Sequence, residues 1–165
     1  LDLDFKAFSG DTSTLRFAES STRFGYDRTT YNHSGTGDTI ISTPYELEAN
    51  RMLGSGKTTK VRTFGAFTSA TAGSLVNIRF GGMTLSLAVP TVQTNTTFIV
   101  TAELHEVQGG YRAFGLIETG LNGQRTGQAS SGFDKAIAND VSIGANLAGA
   151  GDSMSIYRTD VEITG

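Results

Sequence analysis

The chain lacks cysteine entirely and contains only 2 prolines among 165 residues. The absence of cysteine excludes a disulfide framework and thiolate metal sites. Charged residues make up 18% of the chain, the formal net charge is −3, and no arm is rich in Lys and Arg. A nucleic-acid partner therefore has no electrostatic basis. No apolar run approaches the roughly 20 residues of a membrane helix, and no signal-peptide pattern opens the chain. We therefore expect neither nucleic-acid binding nor membrane insertion.

Glycine is what the chain has in abundance. The 21 glycines are spread at turn-like intervals, a pattern typical of an all-β chain because Gly costs a helix about 1 kcal/mol relative to Ala. The length predicts one domain whose core is large enough to fold without a cofactor. Leu1 stands where an initiator Met would be expected, as in a fragment or a processed product.

The clearest strand signal runs from Thr97 to Glu118. Apolar residues alternate with polar ones up to His105, and Gln108-Gly109-Gly110 then predicts a turn. The return strand is apolar on both faces, with Tyr111, Ala113, Gly115 and Ile117 on one and Phe114 and Leu116 on the other. We expect a second sheet to cover the first face and a neighbouring subunit to cover the second.

Shorter signals extend this pattern along the chain. Alternation predicts eight to ten short strands in an all-β, antiparallel β-sandwich or jelly roll, with no long helix. Residues 20–38 are interpreted as a loop or extended arm, Ala49 to Gly54 as a single helical turn, and a β-bulge is expected near Arg158. The predicted strands include Leu1–Ala7, Thr14–Ala18, Tyr45–Glu48, Val61–Gly65, Leu75–Phe80, Met83–Val89, Val141–Leu147 and Met154–Ile163.

The order of five segments resembles a domain of bacteriophage virion proteins, found at the carboxyl ends of tail spikes and tail fibres and in head-decoration proteins. The segments are SGTGDTIISTPYELEANRML, KVRTFGAF, LVNIRFGG, FIVTAELHE and DSMSIYRTDVEIT. The resemblance covers residues 34–165, which we expect to form the jelly-roll domain. Residues 1–33 lie outside it and are expected to form an N-terminal arm with strands, in one compact unit with the domain.

The resemblance implies a jelly roll like that of tumour necrosis factor, assembled as a homotrimer around a threefold axis. It also implies a non-catalytic virion protein of a tail spike or fibre that trimerises the chain and takes part in host attachment by binding host-surface carbohydrate. Two alternatives are a capsid decoration protein that binds the major capsid protein, and a carbohydrate-binding module. The expected partners are other virion proteins and a bacterial surface polysaccharide. The expected trimer interface comprises Ile99, Phe114, Leu116 and Tyr157.

A segment rich in aromatic and polar residues, Arg23 to His33, is the best candidate for binding a glycan. Exposed aromatic rings stack on sugar faces, while Asp, Asn and Arg side chains hydrogen-bond to hydroxyl groups. The alternative is that the aromatic residues anchor this arm against the body of the protein or a neighbour. The candidate glycan-binding residues are Tyr26, Asp27, Arg28, Tyr31, Asn32 and His33.

Four further features of the sequence bear on catalysis or cofactor binding. Gly54-Ser55-Gly56-Lys57-Thr58 lacks the first glycine of a phosphate-binding loop, because Arg51 stands there. Glu103 and His105 share a strand face, but Glu106 points away, so charge pairing with Arg112 is favoured over a metal site. The two histidines suggest no Ser-His-Asp triad, and no β-helix repeat suggests a glycosidase. We therefore expect no catalytic residue, no metal and no cofactor.

Overall fold

The computed structural model describes residues 22–42, 45–50, 56–90, 93–120 and 123–164. These residues form twelve β-strands and no helix. The described part of the chain therefore contains no helix that is long and apolar enough to cross a membrane. The strands are β1 (Thr22–Asp27), β2 (Tyr31–Ser34), β3 (Gly37–Ile40), β4 (Tyr45–Leu47), β5 (Thr58–Ser69), β6 (Leu75–Phe80), β7 (Met83–Ala88), β8 (Gln93–Val107), β9 (Gly110–Thr119), β10 (Gly123–Ala129), β11 (Asn139–Leu147) and β12 (Ser153–Thr164).

The strands form two antiparallel sheets. The larger sheet has seven strands in the order β1-β12-β5-β8-β9-β10, with β2 also paired to β12. The smaller sheet has five strands in the order β3-β11-β6-β7, with β4 also paired to β11. Strands β1 and β2 pair with successive parts of β12, and β3 and β4 pair in the same way with β11. The expected all-β antiparallel sandwich is confirmed.

The core lies between the two sheets and is supplied by alternate residues of the long strands. The smaller sheet contributes Val76, Ile78 and Phe80 of β6 and the buried residues of β7, which lie at the alternate positions that the sequence predicted. Burial of each such side chain is worth about 1.5–3 kcal/mol. The larger sheet contributes the inward face of the predicted hairpin: Phe98, Val100, Ala102, Leu104, Tyr111, Ala113 and Ile117 are all buried.

Local turn chemistry explains the hairpins. Strands β8 and β9 are joined at Gln108 and Gly109, and Gly109 has φ of 88°, a conformation that glycine adopts without steric cost. The Gly81-Gly82 turn between β6 and β7 is also confirmed. The predicted bulge is present, because the pairing of β12 with β5 shifts between Ile156 and Arg158.

Some other expectations were wrong, and some concern residues outside the part of the chain that the structure describes. The loop interpretation of residues 20–38 was wrong, because β1, β2 and β3 occupy most of this segment. The expected number of strands was too low for the same reason. Ala49 and Asn50 form a turn in which Asn50 has φ of 63°, and the rest of the predicted helical turn lies outside the described residues. The strands predicted at Leu1–Ala7 and Thr14–Ala18 also lie outside them.

A buried carboxylate ties two loops together at one end of the sandwich. Asp152 is 0% exposed and precedes β12. Its Oδ2 accepts hydrogen bonds from Ser74 Oγ at 2.8 Å and from the backbone N–H of Gly149 at 3.1 Å, and its Oδ1 accepts one from the N–H of Ala70 at 2.8 Å. The β5–β6 and β11–β12 connections are thereby held to one another.

The two sheets approach one another closely along one side of the sandwich, where β10 faces β7. A Cβ placed on Gly127 would lie 2.7 Å from the carbonyl oxygen of Ser86 and 3.0 Å from Leu87 Cδ2. Real Cβ atoms do not approach a backbone oxygen this closely, so only glycine fits at this position of β10.

The outer face of the smaller sheet is polar. Arg79 on β6 donates to Asp38 on β3 at 2.5 and 2.6 Å, and Asn77 Nδ2 donates to the same carboxylate at 2.9 Å. Arg79 crosses β11 above Gly144, where any Cβ would overlap its guanidinium. The hydrogen bond from Arg79 lowers the pKa of Asp38 despite partial burial. The ion pair between Arg79 and Asp38 therefore links β6 to β3 across β11 on this face.

Candidate functional site

The outer face of the larger sheet, which points away from the core, carries both apolar and charged side chains. In an antiparallel sheet, residues paired across neighbouring strands project to the same face. The register aligns Phe64 on β5 with Ile99 on β8, and Thr101 with Leu116 on β9. Phe114 and Tyr157 on this face are 42% and 43% exposed. We call this surface the outer face.

The largest described groove on the outer face has a volume of about 490 Å³ and is mainly apolar. We call it the aromatic groove. Tyr157 lies on the bulge of β12, and Glu118 places a carboxylate at the same groove. A groove that offers an exposed aromatic ring on one side and a hydrogen-bond acceptor on the other is suited to a ligand with a ring face and hydroxyl groups. The groove is lined by Phe64, Gly65, Thr97, Phe98, Ile99, Glu118, Thr119, Gly120 and Tyr157.

A second groove, of about 240 Å³, is lined entirely by charged residues. We call it the charged groove. Arg158 pairs with Asp160 at 2.8 Å, and Lys60 pairs at 2.8 Å with Glu103 just outside the groove. The lining residues are Lys60, Arg62, Arg158, Asp160 and Glu162.

Phe64 connects these two grooves. It lines the aromatic groove, and two guanidinium groups of the charged groove contact its ring. The Cζ atom of Arg62 lies 4.9 Å from the ring centroid, and that of Arg158 lies 5.8 Å from it. Both distances fall within the range of a cation–π contact. The aromatic and cationic parts of the outer face are therefore contiguous.

A third groove, of about 370 Å³, follows the predicted hairpin. We call it the hairpin groove. Glu103 at its edge is held by Lys60 and by His105, whose Nε2 lies 3.1 Å from the carboxylate. The hydrogen bond from Lys60 lowers the pKa of Glu103, outweighing the opposite effect of partial burial. The lining residues are Thr101, Glu103, Phe114, Gly115, Leu116 and Glu118.

The predicted glycan-binding segment is partly engaged in internal contacts. Tyr31 packs against the core, and its hydroxyl donates to Asp27 Oδ2 at 2.8 Å. Asp27 Oδ1 also accepts from the N–H of Thr29 at 2.8 Å. These bonds close the β1–β2 connection. The pKa of Asp27 is lowered, because the hydrogen bonds from Thr29 and Tyr31 outweigh the effect of desolvation.

The other members of that segment are dispersed. Asn32 is exposed and accepts from Ser155 Oγ at 2.6 Å, His33 is half-buried on the opposite face of β2, and Arg28 is exposed in the connection. Tyr26 is paired in register with Asp160, so its backbone borders the charged groove. The segment lies at the edge of the outer face, and its role in binding stays a prediction.

The four residues of the expected trimer interface lie together on the outer face. Ile99 and Leu116 are half-buried, while Phe114 and Tyr157 are exposed. Ile99 and Tyr157 line the aromatic groove, and Phe114 and Leu116 line the hairpin groove. The hairpin thus has a second apolar face, as the sequence predicted, and its cover by neighbouring subunits stays a prediction.

The described residues contain no group of three or more His, Asp or Glu side chains that could hold a metal ion. The ion pair of Glu103 is with Lys60 at 2.8 Å, whereas Arg112, the expected partner on the hairpin, lies opposite His105. Gly54 and Ser55 of the phosphate-loop-like segment lie outside the described residues.

Sequence reasoning did not find the charged groove. Arg62 and Phe64 alternate visibly on one strand, but Arg158 comes from the far end of the chain and reaches Phe64 only through the β5–β12 pairing. The bulge that was predicted near Arg158 was the one available signal, since bulges often re-aim side chains at functional sites.

Comparison with known proteins gives a fold but no family. No protein-family model matches the chain, and no curated protein matches it. A seed lectin of Lotus tetragonolobus has a TM-score of 0.52 at 7% identity, covering 88% of this chain and 98% of the lectin chain. Lectin I of Ulex europaeus, in complex with the methyl glycoside of alpha-L-fucose, has a TM-score of 0.47 at 9% identity and coverages of 87% and 92%. The first likeness shows that the two chains share a two-sheet β-sandwich fold.

Proposed function

We propose that the protein is a non-catalytic carbohydrate-binding β-sandwich that binds saccharides on its outer face. The observation that carries this proposal is the aromatic groove, which is lined on β12 by a Tyr157 side chain that is 43% exposed and, across β5 and β8, by Glu118 of β9. A sugar presents an apolar ring face and a rim of hydroxyl groups. Tyr157 suits the ring face, and Glu118 accepts hydrogen bonds from the hydroxyl groups. The volume of about 490 Å³ lies within the usual range of ligand pockets.

The fold supports the proposal independently of the groove. The Lotus tetragonolobus protein that shares the two-sheet fold is named a seed lectin. Because one fold hosts many functions, this likeness makes a sugar-binding role a reasonable expectation, while the residues of the groove supply the chemistry.

The test is saccharide binding by wild-type protein and by Tyr157→Ala, first on a glycan array and then by calorimetry. We expect wild type to bind at least one saccharide and Tyr157→Ala to weaken binding about tenfold, as loss of an aromatic stacking contact predicts. Ile137→Ala removes another exposed apolar side chain, 57% exposed and away from the outer face, and should bind as wild type does. An array without any bound saccharide, or full binding by Tyr157→Ala, would refute the proposal.

A second candidate function is structural: a phage virion protein, of a tail spike or fibre or of the capsid decoration, that trimerises through the outer face. The specific observation in its favour is the hairpin groove, where Phe114 is 42% exposed although its strand is paired on both sides, with β8 and β10. Burial of this aromatic side chain against a partner lowers the free energy, because it removes apolar surface from water.

The structural candidate is tested by the mass of the native particle, measured by light scattering over a range of concentrations. A mass of three chains supports it, and its position in a virion map would separate a tail from a capsid location. A monomer at all concentrations contradicts it. Because both candidates use the outer face, a trimer that closes over Tyr157 would leave no room for a saccharide in the aromatic groove.

A further inference from the structure

We infer that the charged groove binds the acidic substituent of a saccharide, a carboxylate or a sulfate, while the sugar ring lies in the neighbouring aromatic groove. The inference rests on the proposed carbohydrate binding and names the chemical class of the ligand. It starts from the charges of the groove, which is lined by three cationic and two anionic side chains although the whole chain carries −3.

The three cations differ in how far they are already neutralised. Lys60 pairs with Glu103 at 2.8 Å, and Arg158 pairs with Asp160 at 2.8 Å. Arg62 is exposed, contacts the Phe64 ring, and forms no ion pair with any described carboxylate. A cation–π contact orients a guanidinium but leaves its five N–H donors available. Arg62 is therefore ready to bind an oxyanion.

Phe64 holds the two arginines in place. Their Cζ atoms lie 4.9 and 5.8 Å from the same ring centroid, so both guanidinium groups border one aromatic ring. Arg158 also keeps a buried Nε–H for which no described residue supplies an acceptor. Arginine binds carboxylate and sulfate with the strong, charge-assisted hydrogen bonds that its planar fork permits, so an oxyanion in the charged groove binds chiefly to Arg62.

The position of the charged groove relative to Tyr157 indicates which class of ligand fits the surface. Phe64 lines the aromatic groove and contacts both arginines, so an anion at Arg62 and a ring at Tyr157 belong to one continuous surface. Neither a free inorganic anion nor a neutral sugar would use both grooves. An acidic saccharide has an apolar ring face and an anionic group on the same small molecule, and it matches both.

The first experiment is a glycan array on which uronic-acid, sialylated and sulfated saccharides stand beside their uncharged parents. We expect the acidic members to bind and their parents to bind about tenfold more weakly. Raising the salt concentration from about 0.05 to 0.5 M should weaken the acidic members selectively, because salt screens a partly exposed charge pair. A comparison of the carboxylated with the sulfated saccharides shows which of the two anionic groups the protein binds.

The second experiment compares Arg62→Gln with Arg112→Gln, which removes another exposed arginine of the same sheet, opposite His105 and outside the lining of the charged groove. Arg62→Gln should lose about tenfold in affinity for the acidic saccharide and less than twofold for its neutral parent, as expected for one charge-assisted contact. Arg112→Gln should leave both affinities unchanged. Circular dichroism of both variants checks that each of them is folded.

The outcomes separate the two proposals. If neutral parents bind as well as the acidic saccharides, or if Arg62→Gln preserves the preference for acidic members, the inference is wrong while carbohydrate binding stands. If no saccharide binds, carbohydrate binding fails and the inference fails with it.

Discussion

Asp152 shows how a single buried carboxylate organises two loops. The side chain is 0% exposed, and its oxygens accept hydrogen bonds from the Ser74 hydroxyl and from the backbone N–H groups of Ala70 and Gly149. Ser74 Oγ in turn accepts from the N–H of Ala148 at 3.0 Å. A buried charge is tolerable only with such a complete set of donors, so each donor becomes costly to lose.

Replacing this carboxylate by an amide should destabilise the fold strongly. In Asp152→Asn the new NH₂ group faces donors rather than acceptors, and we expect a loss of about 2–3 kcal/mol in the free energy of unfolding. Urea denaturation measures the change. Asp140→Asn, at an exposed aspartate of β11, should change the stability by less than about 0.5 kcal/mol. Equal stabilities of the two variants would contradict the role assigned to Asp152.

The same carboxylate predicts an acid dependence. Burial would raise the pKa of Asp152, but the hydrogen bonds from Ser74, Ala70 and Gly149 outweigh it and keep the pKa below its ordinary value. The unfolded chain therefore takes up the proton more readily than the folded one. The stabilisation is complete above about pH 4 and is lost as the pH falls through the lowered pKa. The stability difference between wild type and Asp152→Asn should shrink between pH 7 and pH 3.

At the scale of single residues, the sequence predicted what depends on local alternation and missed what depends on pairing. The inward burial of Val100 and Ile117 follows from a two-residue period. The meeting of Arg62 with Arg158 around Phe64 requires the β5–β12 register, and no local pattern encodes it.

Strands differ in how visible they are in the sequence. Strands β8 and β9 are long and buried on one face, so their alternation was readable together with the glycine turn between them. Strands β2 and β3 have four residues each, and β3 is exposed throughout. Ser, Thr, Gly and Asn in such edge strands look like a loop, because the main contribution to their stability is pairing with β12 and β11.

The contact of β10 with β7 gives a prediction at the scale of elements. Gly127→Ala would place a Cβ 2.7 Å from the backbone oxygen of Ser86, and separating the two strands should cost about 1–3 kcal/mol in the free energy of unfolding. Gly151→Ala is the matched control, since its Cβ would meet no atom within 4 Å. Thermal denaturation compares the two. A Gly127→Ala protein as stable as Gly151→Ala would show that the sheets can separate freely there.

On the scale of the whole molecule, the two sheets have different outer surfaces. The smaller sheet carries the Arg79–Asp38 ion pair and the exposed Ile40 of β3, whereas the larger sheet places the exposed Phe114 and Tyr157 beside grooves. Both proposed functions act through the larger sheet for this reason. Its apolar residues were predicted from the sequence, and its charged groove was not.

Trimer formation through this surface predicts the effect of one charge. Phe114→Asp should dissociate a trimer into folded monomers, because a buried, unpaired carboxylate costs several kcal/mol while the same group on a monomer stays in water. Ile40→Asp, at a residue of β3 that is 53% exposed, should preserve the trimer. Sedimentation velocity gives both masses. An intact Phe114→Asp trimer would show that the interface does not lie on the hairpin. Leu116→Asp tests the same surface at a second position.

The position of β12 has a consequence for synthesis on the ribosome. Strand β12 lies between β1 and β5, and Thr22 pairs with Ile163. As the chain emerges, β5, β8 and β9 can pair in order of appearance, but β1 has no partner and one edge of β5 stays bare until β12 has left the exit tunnel. Bare strand edges recruit other chains. Translation that stalls before Ser153 would therefore leave an incomplete sheet prone to aggregation, and folding of this sheet is completed only after β12 has been made.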